Sequence, residues 1–175
     1  KNFLDVKMLK QNNLAIVIPA YKSTFLAAAL DSIAAQTRQD FTLYIGDDSS
    51  PNNLEEIVDK YRDKINLVYK RFDTNLGGKD LVAQWERCID MTQDEEWLWL
   101  FSDDDVMENN CVEEFYKTIL SKPKAGLVHF NVMRLDDATG EVSSLPEFPK
   151  FCSSKFYLDE KLKGHLISFV VEFIV

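Results

Sequence analysis

Three consecutive carboxylates, Asp103, Asp104 and Asp105, follow directly on the apolar run Trp97-Leu-Trp-Leu-Phe101. Adjacent carboxylates repel one another and are costly to desolvate, so folding alone gains nothing by setting them at the mouth of a core. A bound cation removes that conflict, and all-oxygen ligands select a hard ion, Mg²⁺ or Mn²⁺. The competing reading is an acidic first turn that complements the dipole of a helix near Asn110. That explains one or two acids, but poorly explains three against a fully apolar strand. A Ca²⁺ loop of EF-hand type needs alternating acids, a glycine and a distal glutamate, and these are missing. The acids therefore read as holding a divalent metal over a bound phosphate compound.

Further groups could serve the same chemistry. Asp47-Asp48 can accept hydrogen bonds from a ribose hydroxyl or a base N–H, although Asp and Ser equally suit a plain turn. Gly77 and Gly78 permit unusual backbone angles or close approach to a phosphate, or simply a turn that needs glycine. Lys79 beside them is a candidate phosphate contact or a solvated lysine. No Gly-x-Gly-x-x-Gly follows the first strand and no Gly-x-x-x-x-Gly-Lys-Ser/Thr occurs, which excludes dinucleotide and P-loop readings. Trp85, at helical spacing, reads as core rather than as a stacking platform, and His129, in mid-strand, as a core histidine.

The elements that must position these groups follow from periodicity. Leu14–Ile18 is a continuous apolar run, as in a strand covered on both faces, and Pro19 ends it. Thr24 suits an N-cap before Leu26, Leu30 and Ile33 at helical spacing. Phe41–Ile45 reads as a second strand. Asn52 with Glu55 resembles a capping box ahead of the stripe Leu54, Ile57, Val58 and Tyr61. Ile65–Phe72 is a third strand, 73–78 a turn, and Leu81, Trp85 and Cys88 mark a helix face. Trp97–Phe101 is the fourth strand. Val112, Phe115, Tyr116, Ile119 and Leu120 form a helix ended by Pro123. Leu127–Met133 is a fifth strand, and Thr139-Gly140 turns into a short return strand. Residues 145–164 read as loop, and the last segment fits strand or helix. The order βαβαβαβαβ predicts a mostly parallel sheet with helices on both faces. Ligands in such sheets bind beyond the carboxyl ends of the strands. Pro19-Ala20-Tyr21, Asp47-Asp48 and Asp103–Asp105 all fall at such ends, and this convergence says more than any one motif.

Composition narrows the partners. The chain has 175 residues, 46% hydrophobic and 28% charged, the profile of an ordinary globular domain. A formal net charge of -9 argues against general nucleic-acid binding, but not against an anionic small ligand, since one metal ion inverts the local field. Cys88, Cys111 and Cys152 are widely spaced, without a Cys-x-x-Cys pair, and only two histidines occur. That argues against zinc and for free thiols in a reducing compartment. Residues 1–13 carry no signal-peptide core and read as a flexible lead-in. No apolar run approaches the ~18 residues that span a bilayer.

The series Ile18-Pro19-Ala20-Tyr21, then Leu30-Asp31-Ser32-Ile33-Ala34-Ala35-Gln36-Thr37, then Gly46-Asp47-Asp48-Ser49-Ser50, then Asn75-Leu76-Gly77-Gly78, then Phe101-Ser102-Asp103-Asp104-Asp105 resembles the family-2 glycosyltransferases of GT-A fold. The match is ordered and specific from residue 14 to about 110 and only vague after Met133. The resemblance implies an α/β fold, a Rossmann-like three-layer αβα sandwich with a mostly parallel central sheet. It implies a nucleotide-binding domain over 14–134 and the start of an acceptor-side region, truncated, over 135–175. It implies an inverting transfer from a nucleotide-diphosphate sugar, UDP by expectation, to a glycan or lipid-linked acceptor. Such work belongs to bacterial cell-surface polysaccharide biosynthesis, in the cytoplasm or peripherally at the inner membrane face. Pro19, Ala20 and Tyr21 would line the nucleotide pocket, and Asp47 and Asp48 would contact base or ribose. Asp104 matches the metal-binding carboxylate, with Asp103 near ribose or a metal-bound water and Asp105 orienting them or capping the next turn. Ser102 stands where the first acid of the common Asp-x-Asp would be. Ala83-Gln84-Trp85 replaces a common Ala-Arg-Asn, which leaves Lys79 as a substitute phosphate contact. The catalytic base is expected beyond Val175, Glu172 lying among apolar neighbours. The alternatives are a nucleotidyltransferase of related fold, whose glycine-rich loop after the first strand is absent, and a receiver-type Mg²⁺-binding signalling domain, whose acids should follow the first and third strands.

Overall fold

The computed structural model describes residues 13–145 and 149–175. The expected lead-in therefore lies almost wholly outside the described residues. Its last member, Asn13, is buried, and its carbonyl accepts from the Trp97 amide at 3.1 Å.

The apolar run at the start is strand β1 (Leu14–Ala20), and its lack of alternation has a simple cause. Leu14, Ile16, Ile18 and Ala20 join a large apolar cluster on one face, while Ala15 and Val17 join a smaller one on the other. Pro19 does not end the strand. β1 pairs with β4 (Trp97–Leu100) only as far as Val17, but with β2 (Thr42–Asp47) through Ala20. Pro19 thus lies on a stretch paired on one side only, where its missing donor is tolerated.

β3 (Leu67–Arg71) extends the parallel block at the far side of β2. Helices α1 (Leu26–Ala34), α2 (Leu54–Val58) and α4 (Cys111–Ser121) pack on the larger face through Leu30, Ile33, Leu54, Val58, Val112, Phe115 and Tyr116. α3 (Leu81–Ile89) covers the smaller face through Cys88. Burial of these side chains stabilises by about 1.5–3 kcal/mol each, which is what holds helices with weak caps in place. Neither expected cap forms. α1 starts after Phe25, not Thr24, and α2 after Asn53, both without a side-chain cap; the capping box of Asn52 and Glu55 is absent. α3 is capped by Asp80, which accepts from the Ala83 amide at 3.0 Å.

The C-terminal third departs most from expectation. The fifth strand is only β5 (Val128–His129), and Met133 belongs to a separate hairpin, β6 (Met133–Leu135) with β7 (Val142–Ser144). Within 145–164, read as loop, lies helix α5 (Ser154–Leu162), N-capped by Ser153; Pro146 falls outside the described residues. Its polar sequence and lack of buried residues explain why no apolar period announces it. The unassigned end forms a single 3-10 turn (Val170–Glu172) and then β8 (Phe173–Ile174). β8 runs antiparallel between β4 and β5, so the order across the sheet is β3-β2-β1-β4-β8-β5. Residues after 134 therefore supply a strand to the main sheet.

Candidate active site

The carboxyl ends of β1 and β2 open onto a cavity of about 290 Å³. Pro19, Ala20 and Tyr21 reach it from β1, Asp48 from the loop after β2, and Asn75, Gly77 and Gly78 from the turn before α3. Leu81, Gln84 and Trp85 line it from the first turns of α3. Lys79, Asp47 and the acidic loop are not among the lining residues.

The acids of the first pair differ sharply. Asp47 is fully buried. Its Oδ1 accepts from the Ser50 amide at 2.7 Å, and its Oδ2 from the Tyr69 hydroxyl at 2.6 Å and Arg71 Nη1 at 2.7 Å. Burial first, and then the Asp47 carboxylate, pushes the Tyr69 phenol upward, so it stays a donor. Asp47 thus holds the turn, and its carboxylate lies away from the cavity. Ser49 in that turn has φ of 55°, a left-handed conformation costing on the order of 1–3 kcal/mol for a residue with a side chain. Ser50 then donates its hydroxyl to the Tyr21 carbonyl at 2.6 Å, tying this turn to the end of β1.

Asp48 faces the cavity and gathers the opposite loop. Its Oδ1 accepts from the Leu76 amide at 2.7 Å and from the Arg87 guanidinium. Its Oδ2 accepts from the Gly77 amide and from Asn75 Nδ2, both at 2.9 Å. Gly77 is glycine for closeness: a Cβ there would lie 2.8 Å from Asp48 Oδ2. Gly46 is equally constrained, since a Cβ would lie 2.3 Å from the Cys88 sulfur. That thiol is buried against the sheet, and burial pushes it up to about 12.

The acidic loop is joined to the cavity by one residue. Asp103 Oδ2 accepts from the backbone amides of Tyr21 at 2.8 Å and Lys22 at 2.9 Å. Asp105 is half-buried; burial first, then the charges of Asp104 and Asp103, push its carboxyl up, against a hydrogen bond from Ser102. Asp104 is exposed, and no donor among the described residues reaches its carboxylate. Among the described residues no three His, Cys, Asp or Glu side chains converge as a ready-made metal cage. The donor set still suits a hard cation: an outward carboxylate with no protein partner, beside a second one whose charge is unfavourable where it stands.

Arg87, Asn75, Gln84, Leu81 and Trp85 were not expected here. Trp85 is half-buried and outside both apolar clusters, so it is a cavity residue and not a core residue. Its position one turn after Leu81 on α3 was legible; which face of α3 the sheet would cover was not. Gln84 and Cys88 take the buried positions. At the far side of the sheet, Glu172 is enclosed, accepting from the Phe169 amide at 2.9 Å and pairing with His129 Nε2 at 2.7 Å. It fastens β8 to β5, and His129, expected in mid-strand and in the core, is the last residue of β5 and half-buried in that pair.

Comparison with known proteins agrees with this architecture. The sequence profile described as "Glycosyl transferase family 2" matches residues 15–172. The glycosyltransferase GlyG of Streptococcus pneumoniae serotype 4 is 25% identical over 148 residues, covering 84% of this chain and 48% of GlyG. The poly(ribitol-phosphate) beta-N-acetylglucosaminyltransferase TarS of Staphylococcus aureus is 32% identical over 94 residues, 52% of this chain and 16% of TarS. The chain thus spans about half the length of GlyG and a smaller part of TarS. The structure of S. aureus TarS 1-349 with UDP superposes with a TM-score of 0.65 at 22% identity, over 77% of this chain and 38% of that one. The complex of TarS 1-349 with UDP-GlcNAc also gives 0.65, at 21% identity, over 77% of this chain and 37% of that one. The shared fold confirms the expected three-layer α/β arrangement with a mostly parallel sheet. With the family profile running from β1 to the last turn of the chain, over the ordered acids, glycines and strand ends of this cavity, the protein belongs to glycosyl transferase family 2.

Proposed function

We propose that this chain binds the donor in a glycosyltransferase that moves a sugar from a nucleotide-diphosphate sugar, a UDP-sugar, to a glycan or lipid-linked acceptor. One observation carries the reading: the β1 end, Asp48 and the Gly77-Gly78 turn, three motifs distant in sequence, line one cavity at the carboxyl edge of the sheet. The complexes of TarS with UDP and UDP-GlcNAc support UDP as the carrier. The sugar, the acceptor and a role in bacterial cell-surface polysaccharide synthesis at the inner membrane face are part of the proposal. No helix of the described residues is long and apolar enough to cross a membrane.

The residues divide the work. Tyr21, Leu81 and Trp85 offer flat or apolar surface to a nucleobase. Asp48 and Asn75 hold the Gly77-Gly78 turn open beside it. Asp103 fixes the acidic loop against the β1 end through the Tyr21 and Lys22 amides. Asp104, with Asp105 next to it, is the candidate ligand of Mg²⁺ or Mn²⁺, and Lys79 the candidate phosphate contact. A divalent ion bound there would neutralise the charge developing on the leaving nucleoside diphosphate.

Calorimetry of UDP binding, with Mn²⁺ and then with EDTA, tests the reading. Binding is expected to need the metal, and Asp104→Ala is expected to abolish the metal-dependent part while leaving thermal stability unchanged. Equal affinity of wild type and variant would overturn the metal assignment. Release of UDP, and not of pyrophosphate, in turnover of a UDP-sugar separates this function from nucleotidyl transfer.

A further inference from the structure

Arg87 lies outside every motif discussed above, on the second turn of α3. Its side chain is 21% exposed, and its guanidinium is engaged through Nε, Nη2 and its face. Nη2 donates to Asp48 Oδ1 and to the Thr74 carbonyl at 2.9 Å, Nε donates to Gln84 Oε1, and the plane lies 4.0 Å over the Phe72 ring. Asp48 in turn holds Asn75, Leu76 and Gly77. A carboxylate offers about four acceptor positions, and Arg87 and the loop together occupy them.

We propose that Arg87 is a positioning residue for the nucleotide cavity: it holds Asp48, and through Asp48 the 74–78 loop, in the conformation that leaves the cavity open. The proposal rests on the donor reading above for its ligand, but not for its geometry. Without the guanidinium, Asp48 would be a buried, uncompensated carboxylate facing a cavity that must admit an anion. Only a planar fork can meet a carboxylate, a carbonyl and an amide oxygen at once while stacking on a ring. A lysine ammonium, a point charge, preserves the sign but not this arrangement. Gln84 is part of the same device, since its Nε2 reaches the Gly46 carbonyl at 3.3 Å and so ties the guanidinium to β2.

The test uses the full chain with Arg87→Lys, Arg87→Gln and the double variant Asp48→Asn/Arg87→Gln. Three quantities are measured: amide hydrogen exchange without ligand, melting temperature, and UDP affinity with Mn²⁺. In Arg87→Lys the Leu76 and Gly77 amides are expected to exchange about tenfold faster while α4 amides are unchanged, with UDP Kd raised by about the same factor. Should Arg87→Gln fail to fold, the double variant, free of the lone buried carboxylate, is expected to recover the melting temperature but not the UDP affinity. Unchanged exchange at Leu76 and Gly77 in Arg87→Lys would overturn the proposal. So would a double variant that regains wild-type UDP affinity along with its stability. If wild type binds no nucleoside diphosphate, the donor reading falls, and the exchange measurement still decides the role of Arg87.

Discussion

Asp103 and Asp104 are neighbours in the chain with opposite surroundings. Asp103 accepts two backbone amides from the end of β1, whereas Asp104 points outward without a donor among the described residues. Their replacements should therefore separate. Asp103→Ala removes two hydrogen bonds to a charged acceptor and is expected to cost about 1–3 kcal/mol in urea denaturation. It should also weaken UDP binding by letting the acidic loop leave the cavity. Asp104→Ala is expected to change stability by less than about 0.5 kcal/mol. If the two proved equally destabilising, Asp103 would not be the link described. That the acids suit a hard cation is readable from their types and adjacency. Which of them is spent on the protein's own amides is not, because the amides of Tyr21 and Lys22 arrive from just past β1, some eighty residues away.

Among the elements, α3 shows how a correct helix can carry a wrong face. Leu81, Trp85 and Cys88 recur as one stripe, and only Cys88 is buried. The covered face is set by the sheet: Cys88 packs with Ala15 and Val17, and the Gln84 amide reaches the Gly46 carbonyl. Trp85→Ala is therefore expected to lower stability by well under the roughly 3–5 kcal/mol of a core aromatic truncation. It should weaken UDP binding clearly, as seen by comparing melting curves with calorimetry. A loss of stability in the core range, with UDP affinity intact, would return Trp85 to the core. α5 replaces the expected loop for a different reason. Its helix is signalled only by the Ser153 cap, since it buries none of its residues.

At the scale of the molecule, a late segment supplies a strand to the interior of the sheet. β8 sits between β4 and β5, with Glu172 bonded to His129 and the Trp99 indole donating to the Val171 carbonyl at 2.6 Å. A chain ending at Phe169 is expected to lose this strand, expose the edge of β4 and melt at clearly lower temperature. An unchanged melting curve would mean that β8 contributes nothing to the fold.

The sequence by itself determined the parallel α/β core and the strand ends that carry the acids. These follow from local periodicity and residue type, which a linear reading contains. Only the tertiary structure decided that Asp47 is a turn holder and Asp48 a loop anchor, that Arg87 stands behind Asp48, and that Trp85 faces the cavity. It also decided that the final residues enter the sheet. Each of these depends on which distant groups meet in space, and hydrogen-bond partners and the covered face of a helix are properties of packing, not of spacing along the chain.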